Sequence, residues 1–331
     1  MTEQAGVREL LVADSFRVRV RDGVAEVRGW QAHLDRFRGS AVEALAAPES
    51  VRAAERDARE LTARLADAAR EALLSPTHRG ASSSFEVAGA PIPLGENDRA
   101  RLTAFLTAAR GEIAAAGAGF PRLELWRESD GTTSFDLSLR PLPELRDSIE
   151  LRTAGPVELK HATRKGPNIG ALTRLNHELG AEALLLSPTG TVREGATTSL
   201  IVWGDDGDRS GRVIASQERV ASVTEDLLVE AAARRLVGTK PERSRGGALS
   251  WGGFGTPSGG LGSSHSGSDR GTDRDTDPTP EQLLGHEVWA VNALHGIRPV
   301  SHLDGVALPL PVGPRLAWFR AALERAWQPV R

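Results

Sequence analysis

The chain has 331 residues, of which 40% are hydrophobic and 26% are charged, and its formal net charge is −3. This balance is typical of a globular protein and excludes the strongly basic surface of a nucleic-acid-binding protein, and no segment approaches the ~18 apolar residues of a membrane-spanning helix. Cysteine and tyrosine are both absent, which excludes disulfides, thiolate nucleophiles and a phenolic general acid, and fits a cytoplasmic location.

The first half of the chain predicts strand pairs and helices. Residues 7–29 alternate apolar and polar side chains around Asp22-Gly23, which predicts a β-hairpin, and a second hairpin is predicted around Ser129-Asp130-Gly131. Apolar side chains at helical spacing predict three helices, at residues 33–45, 48–74 and 98–117. The length of the chain predicts two domains, because single cores stop growing near ~250–300 residues.

The second half predicts mainly strands. They are expected at residues 148–153, 182–187, 191–195, 197–204, 211–217, 287–292 and 298–305, with a further candidate at 157–162. Residues 182–187 form an antiparallel pair with the strand that follows the Pro-Thr-Gly turn. Helices are predicted at 168–180, 222–238, with Ser222 or Thr224 as its cap, and 313–327. The stretch 240–280 is saturated in Gly, Ser, Asp and Pro, which predicts a disordered insert.

Lysine is rare in this chain, since only three of the 41 basic residues are lysines. Arginine serves most surface roles equally well, but it cannot lose its proton near neutral pH and attack a carbonyl. Lys160 and Lys165 precede the helix predicted at 168–180, and we interpret them as candidate Schiff-base formers. The alternative is that both are ordinary solvated charges. Glu194, further along the chain, is a candidate second member of the site.

The run of lysine, helix and GAEALLLSPTGTVREGATTSL resembles the motif of the class IV aminotransferase family, the fold type IV enzymes of pyridoxal 5′-phosphate. Weaker matches follow the family's order in HLDRF, VASVTEDLL and EVWAVNALHGIRPV, so the resemblance covers nearly the whole chain apart from the insert. It implies a two-domain α+β architecture. The expected parts are a small N-terminal α/β domain at 1–145, a linker at 146–157 and a larger, β-barrel-like cofactor-binding domain with helices at 158–331.

The resemblance also implies pyridoxal 5′-phosphate as cofactor, a small-molecule amino substrate and a homodimer. In such enzymes a lysine forms an aldimine with the cofactor aldehyde, and a carboxylate, matched by Glu194, keeps the ring nitrogen protonated. The other matching positions are Arg36, Val223 and Thr224 for the phosphate, and Asn292 and Ala293 in a turn near the cofactor.

Two lysines match the family's catalytic position. The spacing of 22 residues to Glu182 favours Lys160. The local pattern KGPN, which resembles the family's K-T-L-N with Asn168 as its last residue, favours Lys165 and requires a helix shorter by about one turn of ~3.6 residues. We predict Lys165 as the catalytic lysine and keep Lys160 as the alternative.

The chain departs from the family pattern in VASVTE, where Ala221, Ser222 and Glu225 replace a proline, a glycine and an arginine. A carboxylate is thereby brought to the phosphate site. The absence of tyrosine and the run Asn292-Ala293-Leu294 resemble 4-amino-4-deoxychorismate lyases. The predicted function is therefore a pyridoxal-phosphate enzyme that eliminates pyruvate, as those lyases do, or transfers an amino group. The alternative is a catalytically degenerate homologue that serves as a binding or assembly module.

Overall fold

The structure is a computed structural model that describes residues 8–46, 94–204, 211–214, 219–236 and 277–331. The predicted helix at 48–74 and the predicted insert as far as residue 276 lie outside the described residues. Within the described ranges, no helix combines the length and the apolar character that crossing a membrane requires.

The N-terminal part packs two antiparallel sheets against helices. Its elements are β1 (Glu9–Ser15), β2 (Val18–Arg21), β3 (Val24–Arg28), α1 (Trp30–Ala46), α2 (Glu96–Ala116), β4 (Arg122–Arg127) and β5 (Thr133–Ser138). The hairpins predicted between β2 and β3 and between β4 and β5 are confirmed. At the first turn, Asp22 and Gly23 both have positive φ, as a tight two-residue turn requires.

The segment before this turn is not one strand, as the alternation suggested, but two. β1 pairs with β4, whereas β2 pairs with β3 in a separate sheet. The chain changes sheets at Phe16, whose side chain is fully buried against Trp30 with ring centroids 5.4 Å apart. Burial of this ring in the core between the sheets stabilises the change from one sheet to the other. The alternation of apolar and polar residues continues through this point, so the sequence does not reveal the change.

The larger part is built on one mixed sheet of eight strands. Its elements are β6 (Ile149–Pro156), α3 (Ile169–Leu179), β7 (Glu182–Leu186), β8 (Val192–Gly195), β9 (Ser199–Trp203), β10 (Gly211–Val213), α4 (Val223–Leu236), α5 (Pro280–Leu283), β11 (Glu287–Asn292), β12 (Gly296–Leu303), β13 (Val306–Ala307) and α6 (Gly313–Glu324). The strand order is β10-β9-β11-β12-β6-β7-β8, with β13 added beside β12. β6 runs parallel to β7 and β12, and the other neighbours are antiparallel.

Most predicted elements of this half are confirmed. β7 and β8 form the predicted antiparallel pair, and α3 ends at Gly180, which has a φ of 66°. Ser222 is the cap of α4, because its hydroxyl accepts a 3.3 Å hydrogen bond from the backbone N–H of Glu225. The strand proposed at 157–162 is wrong, since the chain turns there and His161 has a φ of 48°.

Separate apolar cores cover the two faces of the large sheet. Alternating residues of β11 divide between them, with Trp289 in the core beneath α4 and α6 and Val288 in the core on the other face. Trp203, Trp289 and Phe319 fill the centre of the helix-covered core, with ring centroids 4.8 to 5.4 Å apart. A further core holds the N-terminal part together.

The end of the chain returns to the N-terminal part. The last strand, β14 (Trp327–Pro329), pairs with β3, and Val330 joins the N-terminal core. The guanidinium groups of Arg19 and Arg28 lie over the Trp327 ring at 4.2 and 4.5 Å from its centroid. The last residues of the chain therefore pack in the N-terminal part, although they follow the larger part in the sequence. The domain division at 146–157 stays a prediction.

The loop between β6 and α3 carries Lys160 and Lys165 and is fixed by hydrogen bonds near both. The side chain of Asn168 donates to the carbonyl of Lys160 (2.7 Å) and accepts from its backbone N–H (3.1 Å). The backbone N–H of Ala13 in β1 donates to the carbonyl of Lys165 (2.8 Å). This last bond joins the loop to the N-terminal part.

Gly166 allows that close approach to β1. Its φ is 140°, and a Cβ added there would lie 2.8 Å from the Cα of Val12 and 2.9 Å from the backbone nitrogen of Ala13. These are backbone atoms of a paired strand, which cannot move aside as the end of a flexible side chain does. Any other residue at 166 would push the lysine loop away from β1.

We expect Gly166→Ala to lower the free energy of unfolding by about 3 kcal/mol, because it adds both backbone strain and a collision with β1. Gly155→Ala is the matched control. Its φ of 77° is also positive, but nothing lies within 4 Å of the added Cβ, so it should cost only about 1 kcal/mol. Urea unfolding of the full chain measures both losses, and equal losses would contradict the close packing at Gly166.

Candidate active site

A cavity of about 620 Å³ is lined by residues of both parts of the chain. It collects nearly all the residues that the sequence singled out, namely Lys165, Arg36, Glu194, Val223, Thr224, Asn292 and Ala293. Lys160, the alternative catalytic lysine, is exposed and does not line the cavity. The structure therefore separates the two lysines that sequence spacing left as alternatives.

Lys165 is a partly buried cation among other cations. Burial lowers the pKa of its ammonium group to about 8, and the charge of Arg36 acts in the same direction, as do those of Arg140 and Arg122. The carboxylate of Asp14 opposes these effects. Near neutral pH, a larger fraction of Lys165 than of an ordinary lysine is consequently the neutral amine, which is the form that attacks a carbonyl.

The buried carboxylate of Asp14 holds Arg36 in place. Nε of Arg36 donates to Oδ2 (2.8 Å), Nη2 donates to Oδ1 (2.7 Å), and Nη1 donates to the carbonyl of Ala221 (2.7 Å). Nδ1 of His33 lies 3.0 Å from Oδ1 and must be the donor, because a carboxylate only accepts. Burial alone would raise the pKa of Asp14, but Arg36 and His33 hold it well below its usual range.

Glu194 is a buried acid in the wall of the cavity. It lies on β8 and is 8% exposed, and burial raises the pKa of its carboxyl to about 8. The charges of Arg219 and Arg193 and a backbone hydrogen bond from Val220 favour the ionised form, but they offset the burial only in part. A positive group entering the cavity beside Glu194 would stabilise its carboxylate.

The first turn of α4 forms another side of the cavity through Val223 and Thr224. The first N–H groups of a helix have no partner within the helix and favour anions. Glu225, the acidic departure from the family motif, does not leave an isolated charge here. Arg219 donates to both its carboxylate oxygens, at 2.6 and 2.8 Å, and the pair is buried. Burial would lower the pKa of Arg219, but the charge of Glu225 and its hydrogen bonds raise it.

The turn between β11 and β12 adds Asn292 and Ala293 to the wall. Oδ1 of Asn292 accepts the backbone N–H of His295 (2.9 Å), and Nδ2 donates to the carbonyl of Thr197 (3.4 Å). The carbonyl of Ala293 accepts the backbone N–H of Arg17 at 3.3 Å. The turn thus connects the large sheet to the N-terminal part at the edge of the cavity.

Sequence reasoning missed three charged residues of this region. Asp14 occupies an inward position of β1 within an apolar run, and this mismatch was a detectable signal. Arg219 precedes α4 in a segment without periodicity, so nothing marked it as the partner of Glu225. Arg298 stands in a strand among buried apolar neighbours, and its position in a cavity wall depends on how the sheet curves.

The chain matches no protein-family model and no curated protein sequence. Solved structures match it over almost its full length. A hypothetical aminotransferase from Mycobacterium tuberculosis, in a form with alpha-ketoglutarate and PMP bound, is 17% identical with a TM-score of 0.55, covering 98% of this chain and 90% of that one. A T.th. branched-chain amino acid aminotransferase with pyridoxamine 5′-phosphate is 13% identical with a TM-score of 0.56, covering 99% of both chains.

A fold IV transaminase from Curtobacterium pusillum is 18% identical with a TM-score of 0.52, covering 98% of this chain and 86% of that one. At such identities the likeness shows the fold. The expected fold class, a mixed α and β chain with the fold type IV architecture, is therefore confirmed.

The raised pKa of Glu194 predicts a characteristic dependence of stability on pH. Folding takes up a proton at this carboxyl between its ordinary pKa of 4.5 and about 8, so stability falls as the pH rises through that range. Glu194→Gln removes the ionisation. We expect the variant to gain up to about 4 kcal/mol relative to the wild type between pH 5 and pH 9, by denaturant unfolding without added ligand.

The exposed Glu178→Gln on α3 is the control, and it should follow the wild-type profile at both pH values. If Glu194→Gln and Glu178→Gln show the same difference from the wild type at pH 5 and at pH 9, Glu194 does not ionise as described.

Proposed function

We propose that this chain is a pyridoxal-phosphate-dependent enzyme that acts on a small-molecule amino substrate, with Lys165 as its catalytic lysine. The observation that carries this proposal is the common cavity of Lys165 and Glu194. Burial moves the pKa of the ammonium group down to about 8 and that of the carboxyl group up to about 8. The matching folds are those of aminotransferases, and some of these were solved with PMP or PLP bound.

The residues present fit this cofactor. Two of the five N–H groups of Arg36 have no acceptor among the described residues, and Arg36 lines the same cavity as Thr224 and the first turn of α4, so these groups are available to a phosphate. Glu194 is a buried carboxyl that lacks a full counter-charge, so a protonated ring nitrogen is the partner that its environment calls for. The salt bridge with Arg219 compensates the charge of Glu225, so this carboxylate would not repel a phosphate as an unpaired one would.

The bound cofactor supplies an aldehyde and an electron-withdrawing ring. Lys165 would hold the aldehyde through Nζ, and when Nζ is free of the aldehyde its neutral amine would be available to move the proton of the substrate α-carbon. Glu194 would hold a proton on the ring nitrogen by accepting its hydrogen bond. Asp14 acts through Arg36 and offsets part of the positive charge around Lys165, so that the lysine amine stays basic enough to take a proton.

Within this class we propose amino-group transfer first, because the matching structures are aminotransferases. Pyruvate elimination in the manner of 4-amino-4-deoxychorismate lyase is the second candidate. It is supported by the Asn292-Ala293-Leu294 turn, which lines the cavity, and by the absence of tyrosine.

We also propose a homodimer, on the strength of the apolar side chains of Leu139, Leu142 and Leu145, which are 36 to 49% exposed. A cytoplasmic location also stays a proposal.

The two reactions differ in their need for an acceptor. An aminotransferase is expected to turn over an amino donor only when a 2-oxo acid is added, whereas a lyase releases pyruvate and 4-aminobenzoate from 4-amino-4-deoxychorismate without one. Product analysis with and without 2-oxoglutarate separates them. Release of both products at an unchanged rate without a 2-oxo acid would contradict amino-group transfer as the main reaction.

Borohydride reduction of the protein after addition of pyridoxal phosphate should fix a pyridoxyl group on Lys165, which peptide mass spectrometry detects. Lys165→Ala should lose the label, because the exposed Lys160 lies outside the cavity. Lys160→Ala is the matched control five residues away, and it should keep the label and the absorbance of the bound cofactor.

Labelling on Lys160 alone would overturn the assignment of Lys165. The absence of any label and of any cofactor absorbance would instead favour a catalytically degenerate binding or assembly module.

A further inference from the structure

Arg298 is a buried cation in the cavity wall without a partner. It is 6% exposed and lies on β12. Its Nε atom is fully buried and makes no hydrogen bond, and no hydrogen bond or salt bridge of its guanidinium group is found within the described part of the chain. Burial lowers the pKa of Arg298, as expected for a charge that is removed from water without full compensation.

The neighbouring strands offer this group no acceptor. Arg298 is paired with Ala290 in β11, and Ala290 with Leu200 in β9, so the same row of the sheet continues with two fully buried apolar side chains. Glu182 is the carboxylate whose charge acts on Arg298. Its oxygens, however, already accept hydrogen bonds from Asn176, Thr197 and Thr198, at 2.6 to 3.1 Å.

The nearby imidazole of His295 and the guanidinium group of Arg146 do not compensate the charge of Arg298. His295 lines the same cavity, and burial together with the charge of Arg298 lowers the pKa of its imidazole to about 4. The Nδ1 atom of His295 is buried without a partner. Arg146 is largely exposed and lies 3.4 Å from the carboxylate of Glu144, which also lines the cavity. The ion pair of Arg146 and Glu144 thus lies on the exposed side of the cavity, whereas the uncompensated charge of Arg298 is buried.

We infer that Arg298 binds a carboxylate of the substrate inside this cavity. A planar guanidinium with free N–H groups is suited to two parallel hydrogen bonds to a carboxylate, and such bonds are strong where water is excluded. The inference rests on the proposed function in taking the cavity as the substrate site. It needs neither the cofactor nor Lys165, so the two can fail independently. The carboxylate is either the one next to the amino group or a second one on the side chain of the substrate.

The test is calorimetric titration of the full chain, without added cofactor, with succinate, propionate and the uncharged succinamide. The wild type should bind the acids and not the amide. Arg298→Met should weaken acid binding by about 10- to 100-fold, the usual effect of losing a charged hydrogen-bonding partner. Equal weakening for both acids indicates the carboxylate shared by all amino acid substrates, and weakening for succinate alone indicates a second carboxylate. Both results support the inference.

Arg110→Met on the exposed face of α2 is the matched control and should bind as the wild type does. A thermal melt keeps the test decisive if folding is affected. A buried unpaired charge costs stability, so Arg298→Met without ligand should melt at the wild-type temperature or about 2–4 °C above it. Succinate should raise the melting temperature of the wild type and leave that of Arg298→Met unchanged.

Three outcomes would overturn the inference. They are a wild type that binds neither acid, an Arg298→Met variant that binds both acids as tightly as the wild type, and an Arg298→Met variant that melts well below the wild type. The last result would show that the guanidinium group has a structural partner.

Discussion

The buried ion pair between Asp14 and Arg36 is the interaction on which the rest of the cavity depends. Lys165 lies among arginines, and their combined charge favours loss of its proton. Asp14 supplies the opposing charge, so the pKa of the ammonium group settles at about 8 and the amine remains a base. The pair also joins β1 to α1, and through the carbonyl of Ala221 it reaches the segment before α4. One carboxylate therefore sets both the position and the charge of this wall.

Burial shifts the pKa of two groups in the cavity, the ammonium group of Lys165 and the carboxyl group of Glu194. It pushes the pKa of Lys165 down, which makes the neutral amine more accessible, and that of Glu194 up, which keeps the carboxyl mostly protonated near physiological pH. A cavity that disfavours both charges favours a ligand that provides both an electrophile for the amine and a cation for the acid. Glu225, by contrast, accepts two hydrogen bonds from Arg219. The charge of Glu225 is therefore compensated within the fold, whereas the burial of Glu194 is offset only in part.

Local patterns predicted local structure well. The Asp22-Gly23 hairpin, the helix that ends at Gly180 and the pairing of β7 with β8 each follow from a few consecutive residues. The pairing of β14 with β3 joins residues almost at opposite ends of the chain, and no local pattern contains it. The choice between Lys160 and Lys165 stayed open for a related reason. Both precede α3 in an aperiodic loop, and the bond that joins the backbone of Lys165 to Ala13 connects residues far apart in the sequence.

A comparison within the fold explains why an unpaired arginine is informative. Arg315 is as deeply buried as Arg298, at 4% against 6% exposed. It is bonded to Glu287, which also accepts from the indole N–H of Trp289 (2.7 Å) and the backbone of Val312 (3.1 Å). This sheet is therefore able to surround a buried guanidinium with acceptors. Leaving one uncompensated in a cavity wall lowers stability, and such a cost persists where the missing partner arrives from solution as a ligand.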